Sequence, residues 1–380
     1  MKRRISGLLA IATFVPCLLG GAQSLAQHAY ITNVLDNTVS VIGTPTNTVT
    51  ATIPVGVAPT GVAVTPDGGR IYITNQNSGA VAMIDAATNT VTATIPVGAA
   101  PTGVAVTSDG SKAYVTNQSS GTVSVIDAGT NTVIATIPLG TSPSTDPNGV
   151  VVTPDGSKVF VAIPALDNVS VIATATNTVT TIAVGAEPID VAVTPDGHKV
   201  YVSNFESNSV SVIDTASNMV IDTIASVGPS RPVGVAVTPD GSRVYVTNQG
   251  FSPTDATVSV IDAATNTLIA MIPVGIEPSG IAVTPDGSKV YVVNTRDNTV
   301  SVIATITNTV VATIPVGSNP VAFGVFIQPR FAGTPGSASC VGQSISALTH
   351  VFGGLNAAAA ALGYSSAKAL QNSIMAYCGA

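Results

Sequence analysis

Tryptophan is absent from the 380 residues of this chain, aromatic residues make up only 4% of it, and charged residues only 9%. Valine, threonine, alanine, glycine and proline dominate instead. This bias towards β-branched residues and turn formers is typical of an all-β protein with many short strands. The low charge does not predict disorder, because 45% of the residues are apolar.

Histidine is scarce as well, with three residues in the whole chain. These are His28, His198 and His350. His28 lies near the N-terminus, His198 lies in a turn and His350 lies in the C-terminal tail, so they cannot form a single site. Their separation argues against a histidine-based metal centre and against a Ser-His-Asp triad.

Cysteine also occurs three times. Cys17 lies in the N-terminal apolar stretch, which leaves Cys340 and Cys378 in the tail. An even pair that brackets one segment predicts a disulfide in an oxidising compartment. The alternative is a metal site, but two thiols without other ligands are too few to close a tetrahedral shell.

Residues 1–26 have the features of a secretory signal, namely a basic start, an apolar stretch and a small-x-small cleavage site at Ser24-Leu25-Ala26. We expect cleavage after Ala26 and an extracytoplasmic location, whether periplasmic, secreted or at the cell surface. An uncleaved anchor is the alternative. The mature chain is acidic, which argues against nucleic acid as a partner because the phosphate backbone would be repelled.

A Tyr-x-Thr-Asn-like element recurs seven times with a period of roughly forty residues. The copies begin at Tyr30, Tyr72, Tyr114, Phe160, Tyr201, Tyr245 and Tyr291. Each is followed by three further alternating runs of the types TVSVI, TNTVTATIPVG and PTGVAVTPDG, so that every unit contains four short strands, named B, C, D and A in chain order. Solenoid repeats of similar length would show a helical period, which is missing before residue 338.

Four-stranded units at this period predict an all-β, seven-bladed β-propeller. The chain begins on a B strand at Ala29 and its repeats end on an A strand near Gln328. We therefore expect the N- and C-terminal strands to pair, completing one blade and closing the ring, which removes open sheet edges.

These repeats resemble the YVTN family of β-propeller repeats, which is found in secreted and surface-layer-associated microbial proteins. The resemblance covers about residues 28–328 and rests on motifs repeated many times. It implies the propeller fold. It does not specify a function, because propellers carry binding proteins, lactonases, lyases and dehydrogenases alike.

Connection lengths distinguish the two faces of the ring. The A-to-B and C-to-D turns keep one length throughout, whereas the D-to-A and B-to-C connections, which form the opposite face, carry insertions at 137–149, 224–234 and 245–261. Phe205, Phe251 and Asp255 lie on this loop face. It is the expected recognition surface, and neutral drift in surface loops is the alternative.

Charged residues concentrate where the chain enters strand A. Asp146, Glu187, Arg231 and Glu277 each precede the proline that begins strand A, and Asp190 replaces the small residue found there in other blades. Grouped carboxylates at the channel mouth would suit Ca²⁺, a cationic ligand or acid–base chemistry. A solvated rim with one Arg–Glu pair is the alternative.

The pattern becomes helical after the repeats, which gives a predicted division into a signal (1–26), a propeller (27–330), a linker (331–339) and a helical tail (340–380) with the Cys340–Cys378 disulfide. No tail helix approaches the roughly 20 apolar residues of a membrane span. The tail has three candidate roles, which are docking on the ring, assembly and anchoring.

Taken together, these features favour a monomeric, non-enzymatic scaffold whose loop face binds a protein, glycan or small ligand. The alternative from another class is a lactonase-like hydrolase or lyase that uses the acidic channel mouth with a divalent cation. A weaker alternative is an accessory to periplasmic redox proteins.

Overall fold

The computed structural model describes residues 27–140, 145–225, 227–228, 231–329, 355–361, 364 and 366–378. The described residues contain seven antiparallel sheets, six with four regular strands and one with three. The inner strands of successive sheets contact one another around a central channel. The predicted fold class, a seven-bladed propeller with small C-terminal helices, is confirmed.

The strands of the first four sheets are β1 (His28–Asn33), β2 (Thr38–Gly43), β3 (Thr48–Pro54), β4 (Pro59–Val64), β5 (Arg70–Asn75), β6 (Ala80–Asp85), β7 (Thr90–Pro96), β8 (Pro101–Val106), β9 (Lys112–Asn117), β10 (Thr122–Asp127), β11 (Thr132–Pro138), β12 (Val150–Val152), β13 (Lys158–Ile163), β14 (Asn168–Ala173) and β15 (Thr178–Ala183). Those of the other three are β16 (Pro188–Val193), β17 (Lys199–Asn204), β18 (Ser209–Asp214), β19 (Met219–Ala225), β20 (Pro232–Val237), β21 (Arg243–Asn248), β22 (Thr257–Asp262), β23 (Thr267–Pro273), β24 (Pro278–Val283), β25 (Lys289–Asn294), β26 (Thr299–Ala304) and β27 (Thr309–Pro315).

The tyrosine of the repeat fills the space between neighbouring blades. Tyr72 on β5 is fully buried and packs in one cluster with Val104 and Val115 of the next sheet. Phe160 takes the same place in the fourth sheet and is also fully buried. Because the gap between blades is wide at this radius, an aromatic ring fills it, whereas the crowded inner strands carry glycine and alanine.

The two ends of the propeller sequence join in one blade. Backbone N–H groups of the closing segment (residues 320–329) and of β1 donate across the seam: Tyr30 N to Phe326 O at 2.9 Å, and Val321 N to Thr32 O at 3.0 Å. The predicted closure of the ring is therefore present. Both ends of the propeller sequence therefore lie in one blade.

The closing segment differs from the other inner strands. Two prolines, Pro320 and Pro329, bound it and lie nine positions apart, whereas Pro59 and Pro66 of the next blade lie seven apart. The two extra residues leave β1 and pair with β4 instead, so that Val62 N donates to the Phe323 carbonyl at 2.8 Å. A bulge therefore enters the channel at this blade.

Two short helices follow the propeller, α1 (Leu355–Ala361) and α2 (Ala367–Cys378). The hydroxyl of Tyr364, between them, donates to the carbonyl of Pro66 at 3.0 Å, which places this part of the tail on the face of the A-to-B turns. We call this surface the turn face. Neither described helix has the length and hydropathy of a membrane-spanning segment. The predicted signal, the linker and the disulfide lie outside the residues or side chains that the structure describes.

Candidate functional site

The channel mouth on the loop face is built from two residues of each blade. One is the residue before the proline of strand A, and the other directly follows the repeat asparagine. The backbone N–H of the second donates to the carbonyl of the first, as in Gln76 to Ala58 and Phe205 to Glu187, both at 2.9 Å. The second set contains Val34, Gln76, Gln118, Pro164, Phe205, Gln249 and Thr295. In the fourth blade Ile163 replaces the repeat asparagine and Pro164 has no backbone N–H, so the bond is made in the other six blades. This repeated bond holds both sets at the start of strand A.

The residue before the proline adopts the left-handed region in six blades, with φ between 51° and 55°. These residues are Ala58, Ala100, Asp146, Glu187, Glu277 and Asn319. Side-chain oxygens hold the strained backbone, for example Asp167 Oδ1, which accepts from Glu187 N at 2.8 Å. Because the conformation recurs around the ring, it belongs to the repeat and does not by itself mark a site.

Charged side chains gather on one side of this mouth. The guanidinium carbon of Arg231 lies 4.9 Å from the centroid of the Phe205 ring, and its Nη2 lies 3.1 Å from Glu206 Oε1. Arg231 and Glu206 remain about half exposed, at 49% and 48%. We call the group Asp146, Asp167, Glu187, Phe205, Glu206 and Arg231 the rim cluster.

The electrostatics of the rim cluster act on Glu187. Burial raises the pKa of Glu187, the carboxylate of Glu206 raises it further, and the guanidinium of Arg231 opposes them. Asp167 and Asp146 add smaller upward contributions. A carboxyl group held in this way ionises closer to neutral pH than a free one, which suits it to proton transfer.

Three other residues predicted for the site, Glu277, Phe251 and Asp255, lie apart from the rim cluster. Glu277 faces Arg296, with 3.8 Å between Oε1 and Nη1. Phe251 and Asp255 lie in the insertion between β21 and β22, where Ser252 Oγ donates to Asp255 Oδ2 at 2.8 Å. Phe251 is 58% exposed. The sequence therefore predicted correctly that these residues lie on the loop face. It did not show that they lie apart from the rim cluster.

Asp190 lies inside the channel and is almost fully buried. Its Oδ1 accepts from Val191 N at 2.9 Å and its Oδ2 from Val235 N of the next blade at 3.1 Å. Burial raises the pKa of Asp190 to about 6, and the two backbone donors counteract this effect. Glu187 is therefore a rim residue, whereas Asp190 is a channel residue.

The described residues do not fit the expected divalent cation. Within the described ranges, no group of three or more His, Cys, Asp or Glu side chains is arranged to hold a metal ion. Ca²⁺ takes six to eight oxygen ligands, and the oxygens of Asp190 already accept backbone hydrogen bonds. We derive no chemical step through a metal.

Three groups of side chains at the channel mouth were not identified from the sequence, namely Asp167, Glu206 and a pair of glutamines. Gln76 Nε2 donates to Gln118 Oε1 at 3.0 Å across neighbouring blades. The sequence does contain a signal for these glutamines, because they directly follow the repeat asparagine and this position lies at the channel mouth. Asp167 likewise takes the left-handed turn position that Asn37, Asn208 and Asn298 hold in other blades.

Fold and rim together define a seven-bladed propeller with a charged channel mouth. A family model described as Lactonase, 7-bladed beta-propeller, matches residues 91–220, about a third of the chain. The matched part contains four acidic members of the rim cluster and Asp190. No curated protein is similar enough in sequence to be matched.

Solved structures resemble the chain over most of the propeller. Hydrazine synthase from Kuenenia stuttgartiensis is 26% identical over 69% of this chain and 87% of that one, with a TM-score of 0.62. A putative 6-phosphogluconolactonase from Bacteroides uniformis is 20% identical over 80% and 99%, with a TM-score of 0.65. A second one, from Bacteroides fragilis, is 19% identical over 78% and 97%, with a TM-score of 0.63. At such identities the two Bacteroides likenesses concern the fold alone.

The expectation of a non-enzymatic binding scaffold is contradicted by the family match, which favours the lactonase-like alternative. The error has a physical reason. The expectation rested on the absence of imidazole at the channel mouth, although a carboxyl group whose pKa is raised, as that of Glu187 is, can also accept a proton. The redox-accessory alternative stays an untested prediction.

Proposed function

We propose that the protein is a lactonase-like hydrolase whose reaction centre is the rim cluster. The observation that carries the proposal is the match of residues 91–220 to the lactonase propeller family, because that segment supplies Glu187, the rim carboxyl group whose pKa is raised by burial. The adjacent Arg231 supplies a cation with an exposed guanidinium. Together they provide the base and the oxyanion partner that ester hydrolysis requires.

Hydrolysis of a lactone breaks the ring C–O bond by addition of water to the carbonyl carbon. In this proposal, ionised Glu187 takes a proton from the attacking water, and Arg231 stabilises the negative charge that forms on the carbonyl oxygen. The proton then passes from Glu187 to the departing ring oxygen, which becomes a hydroxyl group. The product is a hydroxy acid, and the enzyme returns to its starting protonation state.

Phe205 and Glu206 support the arginine. The ring beneath the guanidinium and the carboxylate 3.1 Å from it restrict the positions that Arg231 can take. An arginine already held in place loses less entropy when it binds the reacting oxygen. Phe205 also offers an apolar face to the carbon skeleton of the substrate.

The charges of the rim favour a neutral substrate. The cluster contains the carboxylates Asp146, Asp167, Glu187 and Glu206 against the single guanidinium of Arg231. A phosphorylated lactone would bring further negative charge to this surface and be repelled. We therefore propose neutral γ- and δ-lactones as the substrate class, in contrast to the phosphorylated substrate in the names of the Bacteroides proteins.

The test is proton release from a panel of neutral lactones, including glucono-1,5-lactone, with purified residues 27–380 and a protein-free blank for spontaneous hydrolysis. Glu187→Gln and Arg231→Gln should each lower kcat/KM by a factor on the order of 10². Arg296→Gln, which changes the other Arg–Glu pair of the loop face, is the matched control and should retain activity.

The same assay with EDTA tests the divalent cation, and on this proposal turnover persists. Hydrolysis no faster than the blank for every lactone, or full activity of Glu187→Gln, would refute the proposal. Loss of activity with EDTA and its return with Ca²⁺ would restore the metal-assisted alternative.

We further propose that the repeats are of the YVTN type and that the protein acts outside the cytoplasm as a monomer. The seven copies of the repeat element, four of which read Tyr-x-Thr-Asn, and the features of residues 1–26 support this. Expression of the full chain followed by N-terminal sequencing of the exported product should give Gln27 as the first residue. Size-exclusion chromatography with light scattering would give the mass of the mature species.

A further inference from the structure

Neighbouring inner strands approach one another closely at one level of the channel wall. Glycines mark this level, because a Cβ added at Gly61 would lie 2.2 Å from the Thr102 carbonyl oxygen, and one at Gly234 would lie 2.3 Å from that of Ser279. Neighbouring inner strands therefore touch at this level. Only the fifth sheet departs from the pattern of small residues, since Asp190 stands where its neighbours have Gly149 and Gly234.

Between this level and the turn face the channel holds a cavity of about 390 Å³, which we call the channel chamber. Valine and alanine side chains of the inner strands form most of its wall, and Tyr364 lies at its end on the turn face. Its volume falls in the range of roughly 300–1,000 Å³ that is usual for small-molecule sites. Such a wall suits an alkyl group better than a polar one.

Asp190 gives the chamber its one acidic group among the described lining residues, and no lysine, arginine or histidine lines it. The carboxylate accepts two backbone hydrogen bonds, but each of its oxygens has a further lone pair. A buried carboxylate without a cationic partner is costly, so a ligand that brings a positive charge gains more than a neutral one.

We propose that the channel chamber is a binding site for a primary aliphatic amine, with the ammonium group on the Asp190 carboxylate and the alkyl chain along the valine and alanine wall. The site is separate from the rim cluster and does not rest on the hydrolase proposal.

Isothermal titration of the mature chain, residues 27–380, with hexylammonium chloride at pH 7.5 tests the site. Hexylammonium should bind, whereas hexanol, without the charge, and methylammonium, without the chain, should each bind at least about tenfold more weakly. Asp190→Gly restores the residue found in neighbouring blades and should weaken hexylammonium binding about tenfold or more. Ala105→Leu, which adds volume to the chamber wall, should weaken it by occupying space.

The control separates the chamber from the acidic rim. A Glu206→Gln/Glu277→Gln double variant removes two loop-face carboxylates and should bind hexylammonium with unchanged affinity. Loss of binding in this variant would place the amine on the rim and overturn the proposal. So would unchanged binding in both Asp190→Gly and Ala105→Leu, once circular dichroism has shown that all variants are folded.

Discussion

The backbone N–H of Ala322 donates to Oγ1 of Thr32 at 2.8 Å, although the two residues lie 290 positions apart in the chain. Thr32 Oγ1 in turn donates to the carbonyl of Thr60 in the next blade, also at 2.8 Å. One buried hydroxyl group thus links β1, the closing segment and β4. It lies where the ring is closed and where the adjoining blade begins.

Thr32→Val should destabilise the ring by about 1–3 kcal/mol, because it leaves a buried N–H and a buried carbonyl without their partner. The measurement is the free energy of unfolding from urea titration. The exposed Thr52 on β3 provides the control, since Thr52→Val should change stability by no more than about 0.5 kcal/mol. Equal effects of the two substitutions would show that the seam bond contributes nothing.

Gly61→Ala should destabilise the protein by about 1–3 kcal/mol through overpacking, because its Cβ would lie 2.2 Å from the carbonyl oxygen of Thr102. Gly69→Ala is the matched control on the same A-to-B segment, where the nearest atom would lie 3.5 Å away. Thermal unfolding of both variants measures the difference. A Gly61→Ala protein as stable as the Gly69→Ala protein would mean that neighbouring inner strands can separate at no cost.

Asp190 should make stability depend on acidity. Burial raises its pKa from 3.8 to about 6 in the folded chain, so the folded state keeps the proton over a range in which the unfolded state has lost it. Its contribution therefore falls as pH rises from about 4 to 6, by up to about 3 kcal/mol, and is constant above that range. Subtracting the unfolding free energy of Asp190→Gly from that of the parent at each pH isolates this slope, and a flat difference would contradict the prediction.

The tyrosines of the folded protein should lose their phenolic protons at a higher pH than free tyrosine does. Burial raises the pKa of the six propeller tyrosines and of Tyr364 above 10.0, to about 12 for Tyr201 and Tyr364. The folded state thus keeps these phenolic protons after the unfolded state has lost them, and stability falls as pH rises above about 10. Absorbance at 295 nm should rise near pH 10 in denaturant but only at higher pH in the native protein. Coincident curves would show that the phenols are accessible to solvent.

The repeat was sufficient to predict the blades and their closure, because it specifies four strands and leaves one blade without an A strand. The bulge in the closing segment has a clear signal, the longer spacing from Pro320 to Pro329. Spacing alone does not say which strand the extra residues join, since that depends on the free edge of β4 inside the assembled channel.

The site was less predictable than the fold. Sequence position groups Glu187 with Asp190, three residues further on, but the intervening backbone crosses from the rim into the channel. The partners of Arg231 come from another blade, and Glu206 carries no repeat signal that distinguishes it from a solvated loop residue. The contact of Tyr364 with Pro66 depends on the docking of the tail, which no periodicity encodes.

Closure through residues 320–329 has a consequence for biosynthesis. The first strand to be made receives its inner neighbour from the last part of the ring to be made. During translation β1 therefore has an unpaired edge until almost the whole propeller has been synthesised, and such an edge invites pairing with other chains. A chain that stops before residue 320 would retain six complete blades and one permanently open sheet, so truncated products should be directed to aggregation or degradation.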